Sequence, residues 1–188
     1  MMKEKVREKH NSIQVTTADS SHCHYIQDIL DAIYEASKVK GNSIVMRDPK
    51  YLAEKMNEGK AVIALDEGKF VGFCYIECWE NERFVANSGL IVRPEYRGRG
   101  VAMQIKQEIF NVCRRMFPEA MIFGITKSEA VIKINKRLGF SVVPYSALTK
   151  DEKFWKGCDT CPHYQELLDN NFADCQCTGL LFADSNNS

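Results

Sequence analysis

The stretch Ser88–Ala102, SGLIVRPEYRGRGVA, constrains this chain more than any other, because it runs an apolar strand-like segment past Pro94 into a turn of Arg97-Gly98-Arg99-Gly100 and then into a helical pattern. A turn of that composition suits a pyrophosphate. Backbone N–H groups in the first turn of a helix have no partner inside the helix, the helix dipole favours negative charge there, and glycine removes the Cβ atoms that would block close approach. Arg97 and Arg99 add charge-assisted hydrogen bonds. The competing reading is a tight strand-to-helix connection whose arginines are merely solvated.

The segments on either side alternate between strand and helix patterns, with no repeat, low-complexity tract or Pro/Gly-rich linker, which indicates an α/β layer protein. Ser12–Thr17 reads as a first strand, and Asp19 or Ser20 caps a helix whose stripe Ile26, Ile29, Leu30, Ile33, Ala36 keeps one apolar face. Tyr51–Asn57 reads as a short second helix. Ala61–Leu65 and Phe70–Trp79 form a hairpin about Asp66-Glu67-Gly68-Lys69, with Gly68 supplying positive φ. Val85–Val92 is the strand that enters the glycine-rich turn, and the helix after it carries Val101, Ile105, Ile109, Val112 and Met116 up to Pro118. Ala120–Thr126 is continuously apolar, as in a strand covered on both faces. Ser128 caps a helix with Ala130, Val131, Ile134 and Leu138, closed by Gly139, and Phe140–Val143 and Thr178–Phe182 complete the strands.

Length and charge bound the function. A chain of 188 residues is most simply one domain over 1–188, with 1–10 a frayed tail and 146–177 a cysteine-containing insertion before the last strand. Apolar residues at 45% and charged residues at 27% describe an ordinary soluble protein, and the charged N-terminus lacks the apolar core of a signal peptide, so the expected location is cytoplasmic and no membrane partner is expected. Lys plus Arg (25) balances Asp plus Glu (25), so no nucleic acid is expected as a partner. A small molecule is, and a homodimer is admissible.

Arg97 to Ala102 matches the acyl-CoA signature Q/R-x-x-G-x-G/A of the GNAT N-acetyltransferase superfamily, and Asn135–Phe140, NKRLGF, is similar to that family's later element YEKLGF. The chain therefore resembles a GNAT protein across about residues 12 to 183. The resemblance implies an α/β (α+β) fold, a mixed, mainly antiparallel sheet of about six or seven strands that splays at its middle, flanked by about four helices. It implies acetyl-CoA or another acyl-CoA as cosubstrate, with the pantetheine arm beside Leu90, Ile91 and Val92, the pyrophosphate on Arg97, Gly98, Arg99, Gly100, Val101 and Ala102, and Asn135 at the cofactor. Members of the family often place a tyrosine acid where this chain has Asn135.

Within the family, Ser146–Phe182 and Asn42–Leu52 are similar to segments of short, kinase-less N-acetylglutamate synthases, written SALP-x-K-x-W-x-x-C-x-x-C and ILLPRS-x-x-x-L, with Thr149 in place of the proline and Asp48 in place of the serine. That likeness implies acyl transfer to a small amino acid, glutamate first, in arginine biosynthesis, with Arg47 on a substrate carboxylate; the alternative for Arg47 is a surface position near a helix start. Other readings are a GNAT acting on another small amine or a protein amino group, and a non-catalytic CoA-binding regulatory module. Glu82, Glu80 or a water held by Asn87 are the candidate bases, and Lys127 or Arg137 are candidates for the 3′-phosphate or the substrate.

The chain has eight cysteines. Cys23, Cys74, Cys78 and Cys113 are scattered through apolar or helical surroundings and read as buried thiols, and His22, Cys23 and His24 read as surface residues near a helix start rather than a site. Cys158, Cys161, Cys175 and Cys177 are clustered, and three readings stand: a structural Zn²⁺ cage with His163 as an alternative ligand, reduced free thiols, or a redox-active pair.

Overall fold

The computed structural model describes residues 13–39, 45–160, 164, 169 and 175–183. Strand β1 (Ile13–Thr17) leads to Asp19, whose side chain accepts from Ser21 N and caps a 3₁₀ segment, Ser20–Tyr25, before helix α1 (Ile26–Ser37) begins. The predicted cap is therefore real, but it starts the 3₁₀ turn rather than the α-helix. Helix α2 (Pro49–Asn57) is capped by Asp48, whose carboxylate accepts from Lys50 N at 2.7 Å, with Pro49 in the first turn where its missing N–H costs nothing.

Strands β2 (Ala61–Asp66) and β3 (Lys69–Trp79) form the expected hairpin; Glu67 as well as Gly68 takes positive φ, 48° and 78°. Strand β4 (Phe84–Val92) and helix α3 (Val101–Met116) flank the glycine-rich turn. They are followed by β5 (Met121–Thr126), α4 (Glu129–Arg137), β6 (Ser141–Val142), α5 (Glu152–Lys156) and β7 (Thr178–Phe182). The strand foreseen over Phe140–Val143 shrinks to two residues because Phe140 turns inward, 4% exposed, against Phe110 and Phe182.

The strands make one seven-stranded sheet in the order β1-β2-β3-β4-β5-β7-β6. Every neighbouring pair is antiparallel except β4 and β5. On one face α3 buries Val101, Ile105, Ile109 and Val112 against Val62, Cys74, Ile76 and Val85, while Met116, at the frayed end of the stripe, stays 39% exposed. The other face is covered by α1 and α2 through Ile29, Ile33, Leu52 and Met56 packing on Ile63, Phe73 and Tyr75. Each of these side chains contributes roughly 1.5–3 kcal/mol on burial. β5 is covered on both sides as its apolar run predicts, with Ile122 in the first core and Phe123 in a third one shared with Phe84, Leu148 and the aromatic rings of Phe154 and Trp155. The segment before the cysteines is thus anchored to the sheet.

Candidate active site

The sheet is interrupted at β4 in two ways. Phe73 pairs with Ile91 and Tyr75 with Ser88, so Cys74 of β3 stands opposite both Gly89 and Leu90. This bulge depends on Gly89, which takes φ 64°; a Cβ added there would lie 2.2 Å from Tyr75 Cε1. On the other edge, β4 and β5 share only the pairs Phe84↔Met121, Val85↔Ile122 and Ala86↔Phe123, after which Gly124–Thr126 pair with β7 alone. Past Ala86 the two parallel strands splay, and the β5-facing backbone groups of β4 have no strand partner.

A cavity of about 670 Å³ occupies the splay, large enough for a cofactor arm plus a small acceptor. It crosses the sheet: Ile33 and Ala36 of α1 line it on one side, Lys106 of α3 and Val131 of α4 on the other, with Asn87–Val92 and Gly124–Thr126 as its walls. Arg97 lines its edge and donates from Nε to Val92 O at 3.2 Å, and from there the chain passes through Gly98 and Gly100, at φ 74° and 79°, into α3. Gly100 is the N-cap, in the left-handed conformation, without any side-chain cap bond, so the first N–H groups of α3 have no side chain on them. A Cβ on Gly98 or Gly100 would meet nothing within 4 Å, so these glycines are demanded by backbone conformation and face open space above the turn. Arg99 stacks over the Tyr96 ring at 5.1 Å, which holds its guanidinium at the same turn.

Among the described residues, the ionisable lining is one-sided: Arg47, Lys106, Arg97 and Lys127 line the cavity, and no carboxylate does. Arg47 donates from Nε to Tyr75 Oη and from Nη1 to Val45 O at 2.7 Å, so its fork is held in place from two sides. Burial pushes the Tyr75 hydroxyl up to about 12, and its ring packs edge-on to Tyr51, whose hydroxyl donates to Glu77 at 2.7 Å. Lys127 reaches the cavity and Arg137 does not; Arg137 is exposed on α4.

Several sequence candidates fall elsewhere. Glu80, Asn81 and Glu82 form a turn in which all take positive φ, at 50°, 53° and 66°, and Glu82 is exposed there, outside the cavity lining. Glu80 is engaged structurally: its carboxylate accepts from Thr149 Oγ1 at 2.8 Å and from Lys150 N, and these bonds hold its pKa below the ordinary carboxylate value. Asn135 is 2% exposed with Oδ1 unpaired, and it does not line the cavity. His22 bonds through Nδ1 to Asp19, and the ring of the exposed His24 packs on Tyr25, so neither makes a site.

Cys158, Cys175 and Cys177 line the cavity wall. Cys161 and His163 lie outside the described residues. Among the described residues no three His, Cys, Asp or Glu side chains gather as they would around a metal, so the set on view does not fit a tetrahedral Zn²⁺ cage. Burial raises the Cys177 thiol to about 11, which keeps it protonated, and Tyr145 Oη donates to Cys177 O at 2.6 Å.

Sequence reasoning missed Gly89, Tyr75, Tyr145 and Lys106. Gly89 was visible as a glycine inside a strand pattern, the usual mark of a bulge, and Lys106 as a lysine one turn from Ile109 on the inner face of α3.

Residues 57–142 match the family model described as the acetyltransferase (GNAT) domain. Over that stretch the chain carries a GNAT acetyltransferase domain. The GNAT fold extends beyond that stretch: a Mycobacterium tuberculosis protein, Rv2747, crystallised with CoA and a second ligand, superposes with TM-score 0.62 at 19% identity over 91% of this chain and 99% of its own. The N-acetylglutamate synthase of Neisseria gonorrhoeae, crystallised with CoA and N-acetyl-glutamate, gives TM-score 0.60 at 13% identity, covering 92% of this chain but 35% of its own. A phosphinothricin acetyltransferase from Sinorhizobium meliloti with AcCoA gives 0.57 at 21% identity over 71% and 77%. This chain thus spans about a third of the Neisseria enzyme. No curated protein matches it by sequence. Among the described residues, no helix is long and apolar enough to cross a membrane.

Proposed function

We propose that this protein is an acyl-CoA-dependent N-acyltransferase folded as one domain, whose acceptor is a small amino acid carrying a carboxylate, glutamate first among them. The observation that carries this reading is the cavity through the splay, with cationic side chains and no carboxylate among its described lining residues. A cationic acceptor would need acidic partners there; an acceptor with one or two carboxylates, and a phosphorylated cofactor, need the arginines and lysines that are present.

In this reading the pyrophosphate sits on the uncapped first turn of α3, with Arg97 and Arg99 beside it, and the pantetheine amides bond to the unpaired edge of Leu90–Val92. The thioester then lies near Asn87 and Ser88, where the strands part. Arg47, on the α1 side, holds the acceptor carboxylate by a two-pronged contact and so turns the amine toward the thioester carbon from the opposite face. With Glu82 and Glu80 away from the cavity, a water bound at Asn87 and Ser88 takes the proton from the amine. The glutamate assignment also draws on the synthase-like segments around Arg47 and Trp155, and with it the place in arginine biosynthesis.

Steady-state assays with acetyl-CoA and succinyl-CoA against a panel of amino acids test this. Turnover with glutamate or another acidic or amide amino acid is the expected result; turnover confined to polyamines or lysine-bearing peptides would overturn the acceptor class, and no heat of binding with any CoA ester would overturn the acyltransferase reading itself.

A further inference from the structure

Helix α3 buries a lysine among apolar neighbours. Lys106 is 3% exposed and lines the cavity, and among the described residues no hydrogen bond or ion pair acts on it. The titratable groups that act on it are the thiols of Cys74 on β3 and Cys113 on α3; among the described residues no carboxylate from β1, β2, β4 or α4, the other elements packed on α3, reaches it. An ammonium buried without a carboxylate is costly, and a methionine would fill the same space without that cost. Packing alone gives no reason for it.

The surroundings do. Cys74 Sγ donates to Ser88 O at 3.2 Å and Cys113 Sγ to Asn87 Oδ1 at 3.1 Å, while Asn87 Nδ2 is buried with no partner. Asn87 and Ser88 are the first β4 residues past Ala86↔Phe123, the last pair before the splay. Around that vertex the protein therefore presents an ammonium and an amide N–H with no acceptor among the described residues. An acceptor atom there comes from a ligand or from cavity water.

We propose that Lys106 is the proton donor to the sulfur of the departing CoA, a role that rests on the acyltransferase reading above. The acceptor nitrogen bonds to the thioester carbon, the C–S bond breaks with its electron pair passing to sulfur, and the sulfur takes a proton from the Lys106 ammonium to leave as CoA thiol. The proton lost by the acceptor nitrogen returns through cavity water to the neutral amine, so the enzyme ends the cycle as it began. Burial lowers the Lys106 pKa, which makes its ammonium a stronger acid than a surface lysine. Tyr145, the cavity's tyrosine among the described residues, is less suited: its hydroxyl is committed to Cys177 O and burial raises its pKa.

The direct test needs no acceptor. The Nζ signal of Lys106 in ¹⁵N-lysine-labelled protein, assigned with Lys106→Met, is titrated in complexes with CoA and with desulfo-CoA. A sulfur beside the ammonium raises its titration midpoint in the CoA complex by about one pH unit over the desulfo complex; coincident midpoints overturn the proposal. If calorimetry shows that neither ligand binds, the acyltransferase reading fails, a different outcome. With acetyl-CoA and L-glutamate, Lys106→Met should lower kcat by about 100-fold or more and abolish the high-pH limb of the kcat profile, with acetyl-CoA affinity changed less than about threefold. Unchanged kcat, or a high-pH limb that persists in the variant, also overturns it.

Discussion

A Cβ on Gly89 would stand 2.2 Å from the ring of Tyr75, and the Tyr75 hydroxyl is the acceptor for Arg47 Nε. The bulge that opens the sheet and the arginine on the cavity wall are thus one piece of packing. Gly89→Ala forces a positive φ on alanine and displaces a fully buried ring; left-handed strain and overpacking together cost about 3 kcal/mol. Thermal melting should fall by about 6–12 °C, with Arg47 freed from its support and acceptor KM raised. A variant that melts like the wild type would show that the bulge is not held as described.

The turn before α3 answers to a different rule. Gly100 has open space around it, so Gly100→Val acts through its φ of 79° and through blocking the helix N-terminus, not through internal crowding. Backbone strain of about 1–2 kcal/mol is expected. If the pyrophosphate sits on this turn as proposed, the loss of CoA affinity, read by calorimetry, should be about 10-fold or more, because a branched side chain covers the first N–H groups of α3.

At Arg47 charge and shape separate. Arg47→Ala should raise the KM for a carboxylate-bearing acceptor by about 10–100-fold, the loss of a charge-assisted pair, and Arg47→Lys should recover only part of it because an ammonium lacks the fork. Tyr75→Phe, which removes one bond to the arginine without removing its charge, should fall between the wild type and Arg47→Lys. Acetyl-CoA affinity, measured separately, stays near the wild-type value in all of them.

Glu80 links the β3–β4 turn to the segment that closes the cavity through Thr149 and Lys150. Because those bonds hold its folded pKa below 4.5, its contribution to stability is fully present above that value and is lost as pH falls through the lowered one. Glu80→Ala leaves the buried Thr149 hydroxyl and the Lys150 N–H without an acceptor, a loss of about 1–3 kcal/mol at neutral pH. Melting curves from pH 7 to 3 should show the variant's deficit shrinking toward the acid end; a constant deficit would falsify the carboxylate's role.

The two positions where the chain departs from the synthase segments it resembles have local structural roles. Asp48 caps α2 ahead of Pro49, and Thr149, 1% exposed, receives Asp151 N and bonds Glu80, while its carbonyl takes Trp155 Nε1 at 2.8 Å. The Thr149 hydroxyl makes hydrogen bonds that proline at the same place would not, whereas serine at position 48 would cap α2 as aspartate does.

Local chemistry was legible in the sequence. The helix faces, the hairpin about Gly68, the two-sided burial of Ala120–Thr126 and the glycine-rich turn before α3 follow from periodicity and composition, which act over a few residues and need no distant partner. What remained hidden depends on residues brought together by strand pairing: Gly89 against Tyr75, Glu80 against Thr149, Arg47 and Lys106 at the cavity. A glutamate on a turn and a glutamate in a site look alike in a linear chain, and so do a lysine in water and a lysine under a sheet. Burial and orientation separate them, and both arise only when strands 30 or more residues apart pair and then part.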